Sequence, residues 1–309
     1  MKEYLADGNS LSPDLIRYIA DVIKGSTPSI PPLDKQQFLT MSQLFGLQGT
    51  RSMWHTYSCF VASLFATEAQ IGDAGMHQAA GIKFSEDKRE RTAEYSIITL
   101  NYDRIPEMVV DFVNNNYEVT PPLQFVQASK TNPITDIAHV PHKVYLAKLH
   151  GTVSEDEDEQ VIVPPTWSKG RESRIMPVWK LAYQLLAEAT DIRFIGYSLP
   201  IADSYVRYLL KASSIDNPTL PSLKRVDVIC RDSSGLVEHR YKEFLRLTNY
   251  RFRKADAQEY LGVLSLAYEN MLNEGVRNGW VAYPFDKLEE VHDKFMRGTL
   301  HTVPSNFLQ

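Results

Sequence analysis

The middle third of the chain alternates short apolar runs with segments of helical periodicity, and this alternation constrains the fold more than any other feature. The runs are rich in β-branched residues and lie at residues 96–100, 144–149, 161–163, 192–195 and 226–230. A helical segment between the third and fourth runs carries Leu181, Leu185 and Leu186 on one side. Apolar strands that alternate with helices predict a parallel sheet covered by helices on both faces. The sequence therefore predicts an α/β layer architecture.

Both ends of the chain are predicted to be helical. Apolar residues at helical spacing predict a helix around residues 15–23, which the Gly-Ser-Thr-Pro run at 25–28 ends, and a second helix across 52–70. After about residue 237, helices are predicted at 259–273 and 285–296. We therefore predict three units, which are a helical segment at 1–94, the α/β core at 95–236 and a C-terminal helical segment at 237–309.

The charge balance argues against a nucleic-acid partner. The formal net charge is -5, whereas proteins that grip nucleic acid usually carry a basic excess or a basic patch. The strongest basic cluster comprises Arg246, Arg251, Arg253 and Lys254, and it predicts a solvated face. The five acidic residues at 155–159 predict a solvated turn in the same way. We therefore expect no direct nucleic-acid binding.

Cysteine and histidine placement argues against a disulfide framework and against a metal site. The two cysteines, Cys59 and Cys230, are too few for a disulfide scaffold or a four-cysteine zinc site. His139 and His142 flank Pro141 in a predicted loop, which disfavours them as metal ligands.

No run approaches the ~18 apolar residues that a membrane span needs, and no secretory leader opens the sequence. We therefore expect a protein of the reducing cytoplasm, with no membrane contact and no metal.

Polar and glycine residues follow the predicted strands at the point where each strand ends. Ligands of open parallel sheets bind outside the carboxyl ends of the strands. The residues there are Asn101, Tyr102 and Asp103 after the first strand, His150 and Gly151 after the second, Gly196 to Pro200 after the fourth, and Asp232 after the fifth. Their convergence predicts a ligand site at one edge of the sheet.

These segments resemble those of sirtuins and sirtuin-like domains. Residues 98–103, Ile-Thr-Leu-Asn-Tyr-Asp, resemble their T-x-N-x-D segment, and residues 148–151, Lys-Leu-His-Gly, resemble their strand-ending H-G pair. Residues 195–200 followed by Asp203 are similar to the G-Y-S-L-P-x-x-D form of bacterial sirtuin-like proteins. Residues 161–167 also resemble a segment that those proteins carry. The match covers residues 95–232, a little under half of the chain.

The resemblance implies a Rossmann-like, NAD-binding α/β domain. In the wider family, the positions that match Asn101 and Asp103 contact the nicotinamide ribose, and the position that matches His150 is the general base. The relatives with this motif style are mostly linked to bacterial anti-phage defence, where they hydrolyse NAD to nicotinamide and ADP-ribose. The resemblance therefore implies NAD as substrate. It implies a cofactor-binding set of Thr99, Gly151, Gly196, Tyr197, Ser198 and Asp232.

The chemistry of these side chains agrees with such roles. Cleavage of an N-glycosidic bond builds positive charge on the ribose, which a carboxylate such as Asp103 can stabilise. His150, with an ordinary pKa near ~6.5, can accept a proton at neutral pH. Ser198 can bond a phosphate or ribose at the start of the next helix. Structural interpretations stay open, because Asn101 to Asp103 can form a turn or helix cap, Ser198 can cap a helix, and Asp203 fits the first turn of a helix.

Two departures from the family lead to further expectations. No strand with a G-A-G type loop precedes residue 95, since a helix is predicted before Gly72 to Gly75, and Gly46 to Gly49 fails likewise. The absence of this strand predicts a gap in the sheet between the asparagine strand and the Gly-Tyr-Ser strand. Two explanations are open: the chain is a shortened version of a longer protein, or another segment closes the sheet. The four-cysteine zinc module of sirtuin deacylases is also missing, which disfavours a protein deacylase. The alternatives are an impaired NAD or ADP-ribose binding module and an assembly module, and a homo-oligomer stays open.

Overall fold

The structure is a computed structural model of the chain. It describes residues 5–6, 10–11, 13–33, 38–39, 43–46, 52–70, 77–78, 82–89, 94–138, 142–154, 161–163, 174–215, 224–245, 249–278 and 281–300. Several sequence predictions lie outside these residues, namely those on Gly49, Gly72 to Gly75, His139, the acidic run 155–159, residues 164–167 and Arg246.

Helices and strands alternate through most of the described chain. The helices are α1 Pro13–Ser26, α2 Met53–Ser63, α3 Ile105–Asn116, α4 Met176–Glu188, α5 Ser204–Ile215, α6 Leu236–Leu245, α7 Ala257–Asn278 and α8 Pro284–Met296. The strands are β1 Leu5–Ala6, β2 Ser10–Leu11, β3 Phe38–Leu39, β4 Thr67–Gln70, β5 His77–Gln78, β6 Lys83–Glu86, β7 Ser96–Thr99, β8 Glu118–Thr120, β9 Gln124–Val126, β10 Lys143–Lys148, β11 Gly151–Thr152, β12 Val161–Ile162, β13 Asp191–Ile195, β14 Arg225–Cys230, β15 Tyr250–Lys254 and β16 Val281–Ala282.

Two three-stranded parallel sheets form the centre of the fold. The first has the order β7-β10-β9, and the second has the order β13-β14-β15. Alternate residues of their strands enter two different cores, as Ile97 and Ile98 do in β7 and Ile195 and Phe194 do in β13. Helices α2, α3, α7 and α8 line one core, and α4, α5 and α6 line the other. The fold is therefore α/β, with parallel strands between two layers of helices.

The two sheets meet at β7 and β13, which are the outer strands of their respective sheets. In the described part of the chain, backbone hydrogen bonds join β7 only to β10 and β13 only to β14. Side chains nevertheless bridge the two strands, because the guanidinium of Arg193 in β13 lies 5.5 Å from the ring centroid of Tyr95. Glu289 of α8 accepts hydrogen bonds from both side chains. No described strand pairs with both β7 and β13, while these side-chain contacts hold the two strands next to each other.

The five strands and four of the helices predicted from the sequence are present, but one strand pairs differently. The strand β12 belongs to a separate antiparallel pair with β11, with Gly151 opposite Ile162. The expectation that it joins the parallel sheet is therefore wrong. The reason is local, because β11 begins directly after the turn at Leu149 and His150 and folds back onto β12.

The predicted helix across 52–70 is shorter in the structure. Helix α2 begins after Ser52, whose hydroxyl accepts the N–H of His55, and it ends at Ser63. The residues that follow form β4, which pairs with β6 and β16 in a four-stranded mixed sheet completed by β8. A strand, and not a helix, therefore precedes Gly72. The prediction of a helix directly before Gly72 is wrong, although the strand found there, β4, lies outside the two parallel sheets.

The basic cluster near residue 250 is also different from the prediction of a solvated face in a helical region. It forms most of β15, which extends the parallel sheet beyond residue 236. Tyr250 and Phe252 pack into the core lined by α4 to α6. Arg251 lies on the opposite face and pairs with Asp227 and Asp293 at 2.7 Å. Aromatic and basic residues therefore alternate on a half-buried strand whose last residue, Lys254, is exposed.

A row of charged residues crosses the second sheet beneath α8. Arg193, Asp227 and Arg251 are direct neighbours on adjacent strands, so that one carboxylate lies between two guanidiniums. Helix α8 covers this row with Glu289, which accepts from Arg193, and with Asp293, which accepts from Arg251. Opposite charges at directly opposed positions fix the register of these strands.

Three further findings bear on the expected surroundings of the protein. No helix in the described ranges is long and apolar enough to cross a membrane. Cys59 and Cys230 are both buried free thiols. Among the residues that the structure describes, no group of three or more His, Cys, Asp and Glu side chains is placed to hold a metal ion.

Candidate functional site

The turn after β7 carries the first three predicted site residues. The hydroxyl of Thr99 accepts the N–H of Asn101 at 3.1 Å, so Thr99 stabilises this turn. Asn101 itself is exposed. One carboxylate oxygen of Asp103 accepts the N–H of Ile105 at 3.1 Å, which caps the first turn of α3. The role at a helix end that the sequence left open is therefore present, although the N-cap residue of α3 is Arg104, which makes no side-chain cap bond.

The turn after β10 lies directly against the turn after β7. His150 is 7% exposed, and its ring centroid lies 5.7 Å from that of Tyr102. The N–H of Val153 donates to the carbonyl of Tyr102 at 3.0 Å, and the Tyr102 hydroxyl donates to the carbonyl of Val163 at 3.0 Å. The N–H of Val163 in turn donates to the carbonyl of His150 at 2.8 Å. The structure thus brings the Asn-Tyr-Asp and His-Gly segments together.

Lys148, two residues before His150, also joins the two turns. Its ammonium donates to the carbonyl of Asp103, to the carboxylate of Glu107 in α3 and to the hydroxyl of Thr152 in β11. Burial lowers the pKa of Lys148, and the charge of Glu107 opposes that shift. Sequence analysis did not select Lys148, because a lysine at the end of a strand gives no sign of being buried.

The loop after β13 is held by α6. Gly196 has a φ of 73° and Leu199 has a φ of 50°, so two of its residues have left-handed backbone conformation. The carbonyl of Tyr197 accepts the hydroxyl of Tyr241 at 2.8 Å, and the carbonyl of Ser198 accepts Arg240 at 3.0 Å. The expectation that Ser198 lies at the start of a helix is wrong, because α5 begins at Ser204. The two left-handed residues turn the chain, and the helix begins only after that turn.

Asp203 links this loop to the turn after β7. It is 5% exposed, and it accepts the hydroxyl of Tyr197 at 3.2 Å. Burial raises the pKa of Tyr102 to about 12, and the charge of Asp203 adds to that rise. Asp203 therefore lies within electrostatic reach of Tyr102, although its carbonyl also accepts the N–H of Arg207 at the start of α5. The residue that the sequence assigned to a helix start is also a buried carboxylate beside the two tyrosines.

Tyr57 of α2 is a further neighbour that sequence analysis missed. Burial raises the pKa of Tyr57, and the charge of Asp103 adds to this effect. Helix α2 thus brings a phenol close to the turn after β7. The aromatic residues of this helix carry a pattern typical of a core helix, so the sequence offers no signal that separates Tyr57 from its neighbours.

Gly151 and Asp232 have structural tasks of their own. A Cβ on Gly151, which has a φ of 95°, would lie 2.0 Å from the carbonyl oxygen of Val161, so the β11–β12 pairing requires glycine.

The pKa of Asp232 is lowered overall. Burial alone would raise this pKa, but the N–H donors of Gly235, Val237 and Glu238 at the start of α6 outweigh burial. Its Oδ1 atom is buried and has no hydrogen-bond partner among the described residues. Asp232 therefore caps α6 at the end of the loop that follows β14.

A scan against protein-family models finds no match for this chain, and a search of curated proteins finds no matching relative. The resemblance to sirtuin-like domains therefore remains a prediction from the motifs. The described site combines a buried imidazole, two carboxylates, two phenols and an exposed amide at the carboxyl ends of parallel strands. Such a set can orient a water molecule, accept its proton and stabilise a positive charge.

Proposed function

We propose that the chain is a sirtuin-like NAD glycohydrolase that cleaves NAD to nicotinamide and ADP-ribose. The observation that carries this proposal is the junction of the two turns, at which the Tyr102 and His150 rings lie 5.7 Å apart and Val153 bonds to Tyr102. Parallel strands direct their carboxyl ends to the edge where ligands of α/β proteins bind. The motif resemblance adds the bacterial anti-phage role, and the low cysteine content adds a cytoplasmic location.

In the proposed reaction, water attacks the ribose carbon that carries nicotinamide, and the carbon–nitrogen bond breaks. The bonding electrons leave with nicotinamide, and the ribose passes through a state of oxocarbenium character. A carboxylate on this edge, Asp103 or Asp203, stabilises the positive charge. Asn101 orients the water or a ribose hydroxyl, and His150 accepts the proton that the water loses.

The test is nicotinamide release from NAD by the purified chain and by single variants. We expect His150→Ala and Asn101→Ala to lower the turnover rate by roughly 100-fold or more, in line with the loss of a general base or a positioning group. His142→Ala is the matched control, because His142 is half-buried at the other end of β10, and we expect its rate to equal that of the wild type. Absence of release by the intact protein, or equal rates in all variants, would refute the proposal.

A second function is favoured by the bonding of the site residues themselves. Asp103 caps α3 and His150 is buried against Tyr102, which are roles that a binding module without chemistry would also give them. Calorimetry with NAD and ADP-ribose separates the cases. Tight binding without nicotinamide release selects a sensor, and absence of binding selects an assembly partner, whose oligomeric state light scattering would report. An acetyl-peptide assay tests the weaker deacylase alternative.

A further inference from the structure

Lys148 is a buried cation that the proposed reaction does not use. It is the last residue of β10 and is 4% exposed. A buried ammonium is costly unless all of its donors are bonded. The three acceptors of Lys148 are the carbonyl of Asp103, the carboxylate of Glu107 at 3.0 Å and the hydroxyl of Thr152 at 3.0 Å. These acceptors lie in the turn after β7, in the first turn of α3 and in β11.

We propose that Lys148 is a positioning residue that fixes the Asn101–Asp103 turn against the His150–Gly151 turn. Its catalytic consequence rests on the proposed NAD glycohydrolase function, whereas its effect on the two turns does not. The cation reaches from β10 to the carbonyl of Asp103, and the same carbonyl belongs to the residue whose side chain caps α3. Its bond to Thr152 holds β11 next to the same group.

Lysine suits this position because a neutral side chain leaves the three acceptors without a donor. Glu107 is itself almost buried, and its second carboxylate oxygen has no hydrogen-bond partner among the described residues. Loss of the ammonium therefore leaves an uncompensated charge at the start of α3. Because misplacement of reacting groups by about 1 Å can cost 100-fold in rate, a shift of either turn should appear in catalysis.

Lys224 provides a matched control for this lysine. It is 5% exposed, and its ammonium donates to the carbonyls of Leu186 and Ala187 at the end of α4. It thus combines similar burial with bonds to a helix end that lies outside the two turns. Lys148→Met and Lys224→Met remove the same chemical group from two buried places, only one of which touches the candidate site.

The experiment combines amide hydrogen exchange with steady-state kinetics of nicotinamide release. The amides of Ile105 and Val153 report on the two turns, because they bond to Asp103 and Tyr102. In Lys148→Met we expect both amides to exchange at least tenfold faster, while kcat falls about 100-fold and KM changes less than threefold. In Lys224→Met we expect wild-type exchange at these two amides and wild-type kinetics. Unchanged exchange in Lys148→Met, or an equal change in both variants, would overturn the proposal.

The outcomes of this experiment distinguish a failure of the positioning role from a failure of the proposed NAD glycohydrolase function. If the wild type releases no nicotinamide while exchange at Ile105 and Val153 rises in Lys148→Met, the enzyme assignment fails and the positioning role stands. If the wild type is active and kcat of Lys148→Met is unchanged, the positioning role fails. Should Lys148→Met not fold, Thr152→Val decides, since it removes one acceptor and must raise the exchange of Val153 above that of the wild type.

Discussion

Replacement of Asp227 by asparagine should destabilise the folded protein strongly while leaving its shape unchanged. Asp227 lies in the middle of β14 and is 1% exposed. Its two oxygens accept Nε and Nη2 of Arg251 at 2.7 Å, and Oδ2 also accepts Nε2 of His292 at 2.8 Å. Burial raises the pKa of Asp227, but Arg251 and His292 outweigh burial and hold it well below its ordinary value. The group is therefore a carboxylate at neutral pH.

The size of the effect follows from these three bonds. Asparagine keeps one acceptor oxygen, which at the Oδ2 position retains two of the three bonds, so at least one bond and the negative charge are lost. Hydrogen bonds to charged groups contribute about 1.5–3 kcal/mol each, and breaking a buried ion pair costs about 3–5 kcal/mol. The side chain of Arg251 is 27% exposed and keeps its bond to Asp293, so we expect the lower end, about 3 kcal/mol. At roughly 2 °C per kcal/mol for a larger chain, the melting temperature should fall by about 6 °C.

Urea unfolding followed by circular dichroism measures this change, with Asp293→Asn as the control. Asp293 binds the same Arg251, but its side chain is 36% exposed, and ion pairs of exposed groups contribute below about 1 kcal/mol. We expect a large drop in the urea midpoint for Asp227→Asn and a small one for Asp293→Asn. A midpoint for Asp227→Asn that is no lower than that for Asp293→Asn would refute the prediction that the buried carboxylate stabilises the sheet more than the partly exposed one.

Two further predictions follow from the same structure. Burial lowers the pKa of His292, so below about pH 6.5 the unfolded chain binds a proton that the folded chain does not, and the stability present above that pH is lost on acidification. His292→Gln should therefore flatten the decline of the urea midpoint between pH 7 and pH 5. An unaltered slope would contradict this prediction. Gly151→Ala should destabilise the protein by more than about 3 kcal/mol, because its Cβ would lie 2.0 Å from the Val161 carbonyl oxygen. Gly235→Ala, which has a φ of 80° and open space around it, should cost only about 1–2 kcal/mol in the same unfolding assay, and equal losses would refute the steric argument.

The central strands could be predicted because their signal is local. The run Val226-Asp227-Val228-Ile229-Cys230 is apolar except for Asp227, and its apolar residues enter both cores in the structure. Helix α4 was predictable for the same reason, since its apolar residues recur at helical spacing. The order of the motifs that follow the strands can also be read directly from the sequence.

The edge elements could not be predicted, because tertiary pairing decides them. Thr67–Gln70 is a short and mostly polar stretch that becomes β4 through its pairing with β6 and β16. Tyr250–Lys254 has alternating aromatic and basic residues, and only Asp227 and Asp293 explain why a basic residue such as Arg251 faces the protein. Strand propensity depends on such context more than helix propensity does.

The candidate site, like the fold, could be predicted from the sequence only in part. The polar residues after the strands are visible in the sequence, and the structure places the Asn-Tyr-Asp and His-Gly turns side by side. The burial of Lys148, Asp203 and Tyr57 around them is a property of packing between distant segments. The necessity of Gly151 depends on β12, which lies ten residues further along the chain.

The most direct test of the central claim is a hydrogen-exchange footprint of NAD on the intact chain. We expect NAD to slow exchange together at three segments, which are residues 101–105, 150–153 and 196–199, because one dinucleotide contacts all three strand ends. Protection confined to one of these segments, or located only elsewhere, would contradict the claim that they form a common site.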